Sequence, residues 1–185
     1  AEFQLIEWDN KVMELDGKTI DVVWNGMTLT EDVLAAMECS QPYLINQQVV
    51  VVPADVAEDY QTEESLADLN FAVEIGSAGC EVAQANGYSY TEVADQATAL
   101  LEVASGTADA AIIDSLMAGA MIGEGTSYAD MTSTVALTSE EYGVGFRKGS
   151  DLAATLNEFL SGKYADGSIQ TLAETYGVQD ALVQE

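Results

Sequence analysis

The sequence predicts an α/β protein. Short β-branched or wholly apolar runs recur along the chain, stretches with helical apolar spacing separate them, and Gly, Pro or a capping residue stands at most boundaries. With 185 residues, 48% of them hydrophobic, the chain can bury the core of one ordinary domain or two small ones.

The elements follow in order. Phe3 to Trp8 alternates apolar and polar residues and predicts a strand. Asp9 is placed to cap a short helix carrying Val12, Met13 and Leu15, closed by Gly17. Thr19 to Trp24 is β-branched and predicts a buried strand. Thr30 caps a helix running through Met37, and Val49 to Val52 is an apolar strand stopped by Pro53.

An acidic, turn-like stretch then leads to Thr62, which caps a short helix around Leu66 and Leu69. Phe71 to Ile75 is a strand, followed by the turn Gly76-Ser77-Ala78-Gly79 and a helix ending at Gly87. Tyr88 and Tyr90 alternate on a strand-like face. Asp95 opens a helix ended by Gly106, and Ala110 to Ile113 is a strand running into Asp114 and another helix. Thr134 to Leu137 and Tyr142 to Phe146 are strands. Two helices close the chain, with apolar stripes at Leu152, Leu156, Phe159 and Leu160, and at Ile169, Leu172 and Tyr176.

Charge excludes whole classes of function. There are 32 Asp and Glu against 5 Lys and Arg, a formal net charge of −27. Five cations cannot neutralise a nucleic-acid backbone against that field, and docking on anionic lipid is disfavoured for the same reason. The absence of His removes His-based catalysis and most zinc or iron sites. Asp55, Glu58 and Asp59 read as a solvated acidic turn, and neither a metal nor a cofactor is implied. No apolar run reaches the ~20 residues of a membrane span. The chain opens at Ala1 without Met or a leader, as a processed or recombinant piece does. Cys39 and Cys80 read as two free thiols, with a disulfide as the alternative.

Two positions carry a chemical signal. The turn at Ser77 and Ala78 lets backbone N–H groups approach an anion at a helix N-terminus, or is an ordinary strand-to-helix turn. Asp114 ends an apolar strand, where ligands meet open α/β sheets, and its carboxylate suits an ammonium group. It also suits a helix N-cap, and the two roles are compatible. Trp8 and Trp24 read as core or as the wall of a cleft.

Several motifs then occur in a fixed order. Trp24-Asn25-Gly26-Met27-Thr28-Leu29-Thr30 is followed by Cys39-Ser40-Gln41-Pro42-Tyr43, Ser65-Leu66-Ala67-Asp68-Leu69, and Phe71 to Ala78. Gly106-Thr107-Ala108-Asp109-Ala110 through Asp114, Glu141 to Gly149, and Ala165-Asp166-Gly167-Ser168 complete the series. Along essentially its whole length the chain resembles the polar-amino-acid family of ABC-transporter solute-binding proteins, of the periplasmic-binding-protein type, family 3.

The resemblance implies a two-lobed, type II periplasmic-binding-protein-like fold. Residues 1–48 and 140–185 would form a discontinuous first lobe and 49–139 the second, with a cleft between them for the ligand. It implies a site lined by Asn25, Gly26, Met27, Thr28, Ser77, Ala78 and Asp114, with Asp114 pairing an ammonium group. An ABC permease and a small polar, amino-acid-like solute would be the partners, at an extracytoplasmic location.

Two departures from the family stand out. The strand and helix that open the family's first lobe are absent ahead of Phe3, which leaves that lobe incomplete and open to a homo-oligomeric contact. Where the family carries an Arg that grips the ligand α-carboxylate, this chain has Val33. Three functions therefore compete. They are a solute receptor for an importer, a non-transport interaction or assembly protein on a degenerate solute-binding fold, and an enzyme like the dehydratases that share the fold. With no His, one Arg and no convergent acid–base set, no catalytic residue is assigned.

Overall fold

The computed structural model describes residues 1–183. They form two compact units. Unit 1 comprises Ala1–Ile6, Asn10–Asn46 and the chain from Glu140 onward; unit 2 comprises Glu7–Asp9 and Gln47–Ser139. No helix among the described residues is long and apolar enough to cross a membrane.

Unit 1 is organised by one long strand. Its strands are β1 (Val23–Thr28), β2 (Met37–Cys39), β3 (Leu44–Asn46) and β9 (Glu140–Arg147); its helices are α1 (Lys11–Asp16), α2 (Glu31–Ala36), α6 (Leu152–Ala165) and α7 (Ser168–Tyr176). β9 pairs antiparallel with β1 along one edge and with β2 and then β3 along the other. The period of two explains its sequence. Val144 and Phe146 pack with Ala153 of α6 on one face. Gly143 and Gly145 lie on the other, where an added Cβ at Gly145 would stand 2.5 Å from Met37 Sδ and 2.9 Å from Met27 Cε. Gly145 thus makes room for Met27 and Met37, both fully buried, and Gly143 makes room for Leu29.

The single arginine is a structural staple of unit 1. The Arg147 guanidinium donates to Leu15 O at 3.2 Å and Ile20 O at 2.7 Å, and pairs with Asp21 at 2.8 Å. Lys148 Nζ donates to Leu34 O and Met37 O at 2.9 and 3.0 Å, covering the carbonyls that end α2.

Unit 2 is a five-stranded mixed sheet in the order β6-β5-β7-β4-β8. The strands are β4 (Gln48–Pro53), β5 (Asn70–Glu74), β6 (Ser89–Val93), β7 (Ala110–Asp114) and β8 (Met131–Ala136); the helices are α3 (Ala78–Asn86), α4 (Gln96–Ser105) and α5 (Ser115–Met121). β5 runs parallel to β6 and β7, while β4 runs antiparallel to β7 and β8. The unbroken apolar run of β4 is explained by burial on both faces. Val49 and Val51 pack with Leu100 and Val103 of α4, and Val50 and Val52 pack with Leu66, Phe71 and Ala83. Phe71 stacks on Tyr88 at a centroid distance of 5.0 Å, which adds ~0.5–1.5 kcal/mol to its burial. Ser77 Oγ and Asp95 Oδ1 cap α3 and α4 by accepting from Cys80 N and Thr98 N, and Gly87 and Gly106 close them in the left-handed region.

The structure corrects several sequence expectations. Phe3 to Glu7 form no strand, and Phe3 and Leu5 are 97% and 99% exposed, because an alternating run needs a ladder partner and has none among the described residues. The strand expected at Thr19 to Trp24 begins only at Val23 and runs to Thr28. The physical reason lies in α1: Thr19 N and Ile20 N donate back to Glu14 O, and Arg147 takes Ile20 O, so neither residue is available to a ladder. Asn10, not Asp9, occupies the N-cap position of α1. The short strands β2 and β3 escaped notice because three residues are too few to show a period. The turn after Thr62 is a 3-10 helix, Glu63–Leu66. In the closing helices Leu160 is buried as expected, but Leu152, Phe159, Leu172 and Tyr176 stay exposed, and Ala153 and Ala173 are buried instead.

Candidate functional site

In unit 2 the candidate residues converge on one end of the sheet. β5 and β7 are parallel and β4 is antiparallel to β7, so the C-terminal ends of β5 and β7 and the start of β4 lie together. Ligands meet α/β sheets at such strand ends. Asp114, 8% exposed, closes β7 there. Gln48 Nε2 donates to Asp114 Oδ1 at 2.6 Å, and Gln96 Nε2, at the start of α4, donates to Oδ2. Gln96 Oε1 in turn accepts the Asp114 N–H at 3.0 Å. The carboxylate makes no capping bond to α5. Asp114 is thus a buried acceptor oriented by two amides.

The Ser77 turn sits beside this clamp. A Cβ added at Gly79 would stand 2.9 Å from both Gln48 Oε1 and Ile112 O, so only glycine lets α3 approach the sheet this closely. Gly76, at φ +68, faces Asp9, whose Oδ1 would lie 2.8 Å from an added Cβ. Ser77 is buried and its hydroxyl is occupied as the cap of α3. The first-turn N–H groups at Ala78 and Gly79 have no carbonyl partner inside the helix, as at any helix start.

Unit 1 places the other candidates on β1. Asn25 is exposed, and Gly26, at φ +60, lies against the Tyr142 ring, 3.2 Å from where a Cβ would be. The Met27 side chain belongs to the core, so only its backbone can serve a ligand. Thr28 Oγ1 donates to Glu140 Oε1 at 2.7 Å, and Asn46 Nδ2 donates to the same oxygen at 2.8 Å. Trp24 is half-exposed and meets Tyr43 edge-on, with centroids 6.2 Å apart. Burial pushes the Tyr43 phenol up, partly offset by hydrogen bonds from the Trp24 indole and the Gly26 backbone. Val33 is buried in α2 and brings no charge.

Sequence reasoning missed Gln48, Gln96, Asn46 and Glu140. Their signal is partnership across the fold, at sequence separations of 66, 18, 94 and 112 residues. Among the described residues no three His, Cys, Asp or Glu side chains are grouped to hold a metal. Cys39 and Cys80 are both free thiols.

A solute-binding protein is the class that these strand ends and this α/β architecture define. The profile of the bacterial extracellular solute-binding proteins, family 3, matches residues 1–179, and the chain belongs to that family. It is 27% identical over 179 residues to the L-cystine-binding protein TcyJ of Escherichia coli strain K12, covering 95% of this chain and 67% of that protein. The chain therefore spans about two thirds of that relative's length. An arginine-binding protein of T. maritima, solved as the P235GK mutant of ArgBP, superposes with a TM-score of 0.84 at 32% identity, over 95% of this chain and 76% of that one. An ABC uptake transporter substrate-binding protein from Streptococcus pneumoniae with bound histidine gives 0.85 at 26%, over 99% and 78%. The fold is thus that of the two-lobed, type II amino-acid-binding proteins.

Proposed function

We propose that the chain is the extracytoplasmic binding component of an ABC importer, taking a small polar solute of amino-acid type and delivering it to a permease. It acts as a receptor and not as an enzyme. One observation carries the proposal: the buried Asp114 carboxylate, held by Gln48 and Gln96 at the end of β7, is an acceptor shaped for an ammonium group. Beside Asp114 in unit 2, Ser77 and Ala78 are proposed as ligand contacts through backbone groups, and in unit 1 Asn25, Gly26, Met27 and Thr28 are proposed as that unit's own ligand contacts.

Thermal melting and calorimetry with the twenty amino acids and cystine test it. A specific solute at 100 times its Kd raises stability by ~2.7 kcal/mol. Asp114→Asn should abolish most of that shift. A chain that no solute stabilises would overturn the proposal.

A second reading, an assembly protein that has lost transport, is favoured by the buried, uncharged Val33 and by the outer edge of β1, which has no ladder partner among the described residues. Self-association without any solute response would establish it. A second copy of the chain would then be the partner.

A further inference from the structure

We infer that Asn25-Gly26 in β1 is a self-modification site, at which the folded chain converts asparagine to aspartate and isoaspartate, and that the Tyr43 phenol acts as its brake. The chain holds two Asn-Gly pairs, Asn25-Gly26 and Asn86-Gly87. Glycine leaves its nitrogen unshielded by a side chain, so the sequence marks both pairs alike. The structure separates them.

Asn86 ends α3. Its Nδ2 donates to Val82 O at 2.9 Å, and the Gly87 N–H is drawn back to the carbonyls of Ala83 and Gln84. The helix thus holds both the amide that would leave and the nitrogen that would attack. Asn25 lies instead in an irregular stretch of β1. Val23 pairs with Gly145 and Met27 with Gly143, so Trp24, Asn25 and Gly26 stand opposite Val144 alone. Val144 gives its N–H to Ser40 Oγ and its carbonyl to Ser40 N, both at 2.9 Å. Asn25 is exposed, and its side chain has no hydrogen-bond partner among the described residues. Gly26 turns at φ +60, and its N–H donates to the Tyr43 phenol.

The chemistry needs only water. Gly26 N loses its proton and bonds to Asn25 Cγ, the Cγ–Nδ2 bond breaks, and Nδ2 leaves as ammonia with that proton. Water then opens the cyclic imide. Breaking the bond from Gly26 N to Cγ gives aspartate. Breaking the bond to the Asn25 main-chain carbonyl gives isoaspartate, whose main chain runs through Cβ and Cγ. One water is consumed and one ammonia released, and nothing is oxidised or reduced. Either product adds a carboxylate to the strand that carries Gly26 and Thr28, and isoaspartate also lengthens that strand by a methylene.

Incubation of the whole chain in warm buffer at pH 8 tests this. A glutamate-specific protease releases the two pairs on separate peptides, and mass spectrometry with electron-transfer fragmentation reads each conversion. Folded, Asn25 should convert at least ~ten-fold faster than Asn86, whose reaction must wait for the helix end to open. In guanidinium chloride the two rates should agree within ~three-fold, because the helix is gone. Tyr43→Phe, checked for folding by circular dichroism, should speed Asn25 and leave Asn86 unchanged; if it does not fold, the comparison of buffer with denaturant decides.

Asn86 keeping pace with Asn25 in the folded chain, no conversion at Asn25, or a gap that survives in guanidinium chloride overturns the inference. An unchanged Asn25 rate in a folded Tyr43→Phe variant removes Tyr43 as the brake.

Discussion

Gln48 and Asp114 stand opposite each other in the antiparallel pair of β4 and β7, and the Gln48 amide donates to the Asp114 carboxylate at 2.6 Å. A sheet position that would ordinarily carry an apolar residue is given to a buried amide, 2% exposed, whose carboxylate partner sits at the strand end. Gln48→Leu removes one donor from a buried carboxylate and should cost ~1–3 kcal/mol of stability, read from denaturant melts. Affinity for an aminated solute should fall as well, since the acceptor loses its orientation.

The glycine at position 145 is demanded by packing. Gly145→Ala puts a Cβ 2.5 Å from Met37 Sδ and 2.9 Å from Met27 Cε, so the core of unit 1 must shift. Overpacking of this kind costs ~1–3 kcal/mol. Combining it with Met37→Ala, which vacates the clashing sulfur, should recover part of the loss. A purely additive double variant would show that the clash is not the cause.

Arg147 and Asp21 should separate in their effects. Asp21 is 82% exposed at its side chain, and a surface ion pair contributes ~0–1 kcal/mol. Asp21→Asn should therefore change little. Arg147→Ala leaves the Leu15 and Ile20 carbonyls without their charged donor, and bonds to charged groups contribute ~1.5–3 kcal/mol each. Thermal melts of the two variants should differ by several degrees for a protein of this size.

The two thiols should react slowly and in order. Burial, then the nearby Glu92, pushes the Cys80 thiol up from 9.0, and burial raises Cys39. Ellman's reagent at pH 8 should modify both more slowly than free cysteine, Cys39 first, because Cys80 is the buried one. A raised folded-state value stabilises fully below the unfolded thiol's pKa, and that contribution is lost as pH rises through the folded one. Cys80→Ala should therefore lose less stability than the parent between pH 8 and pH 10.

Residues 1–185 should self-associate in a salt-dependent way. The outer edge of β1 has no ladder partner among the described residues, and Phe3 and Leu5 are 97% and 99% exposed. Each chain carries −27 formal charges, so salt should promote association by screening over a Debye length of ~8–10 Å. Sedimentation across a salt series checks it, with a monomer at every salt concentration and high protein concentration as the contrary result.

The local order of this chain was legible in its sequence. Capping residues and terminal glycines placed α3 and α4, because Ser77, Gly87, Asp95 and Gly106 act on backbone groups a few residues away. The continuous run Val49 to Val52 announced a strand buried on both faces, and Asp114 stood out at the end of another. The fate of Phe3 to Trp8 and Thr19 to Trp24 was not legible, because pairing is a property of two segments. One lacked a partner among the described residues, and the other had its first N–H groups drawn back to Glu14. The tertiary structure alone decided how the candidate side chains of each unit are held. Gln48 and Gln96 orient Asp114, and Glu140 claims the Thr28 proton, through hydrogen bonds between residues 18 to 112 positions apart. Such bonds depend on where the backbone carries each side chain, and no local pattern of residues records that distance.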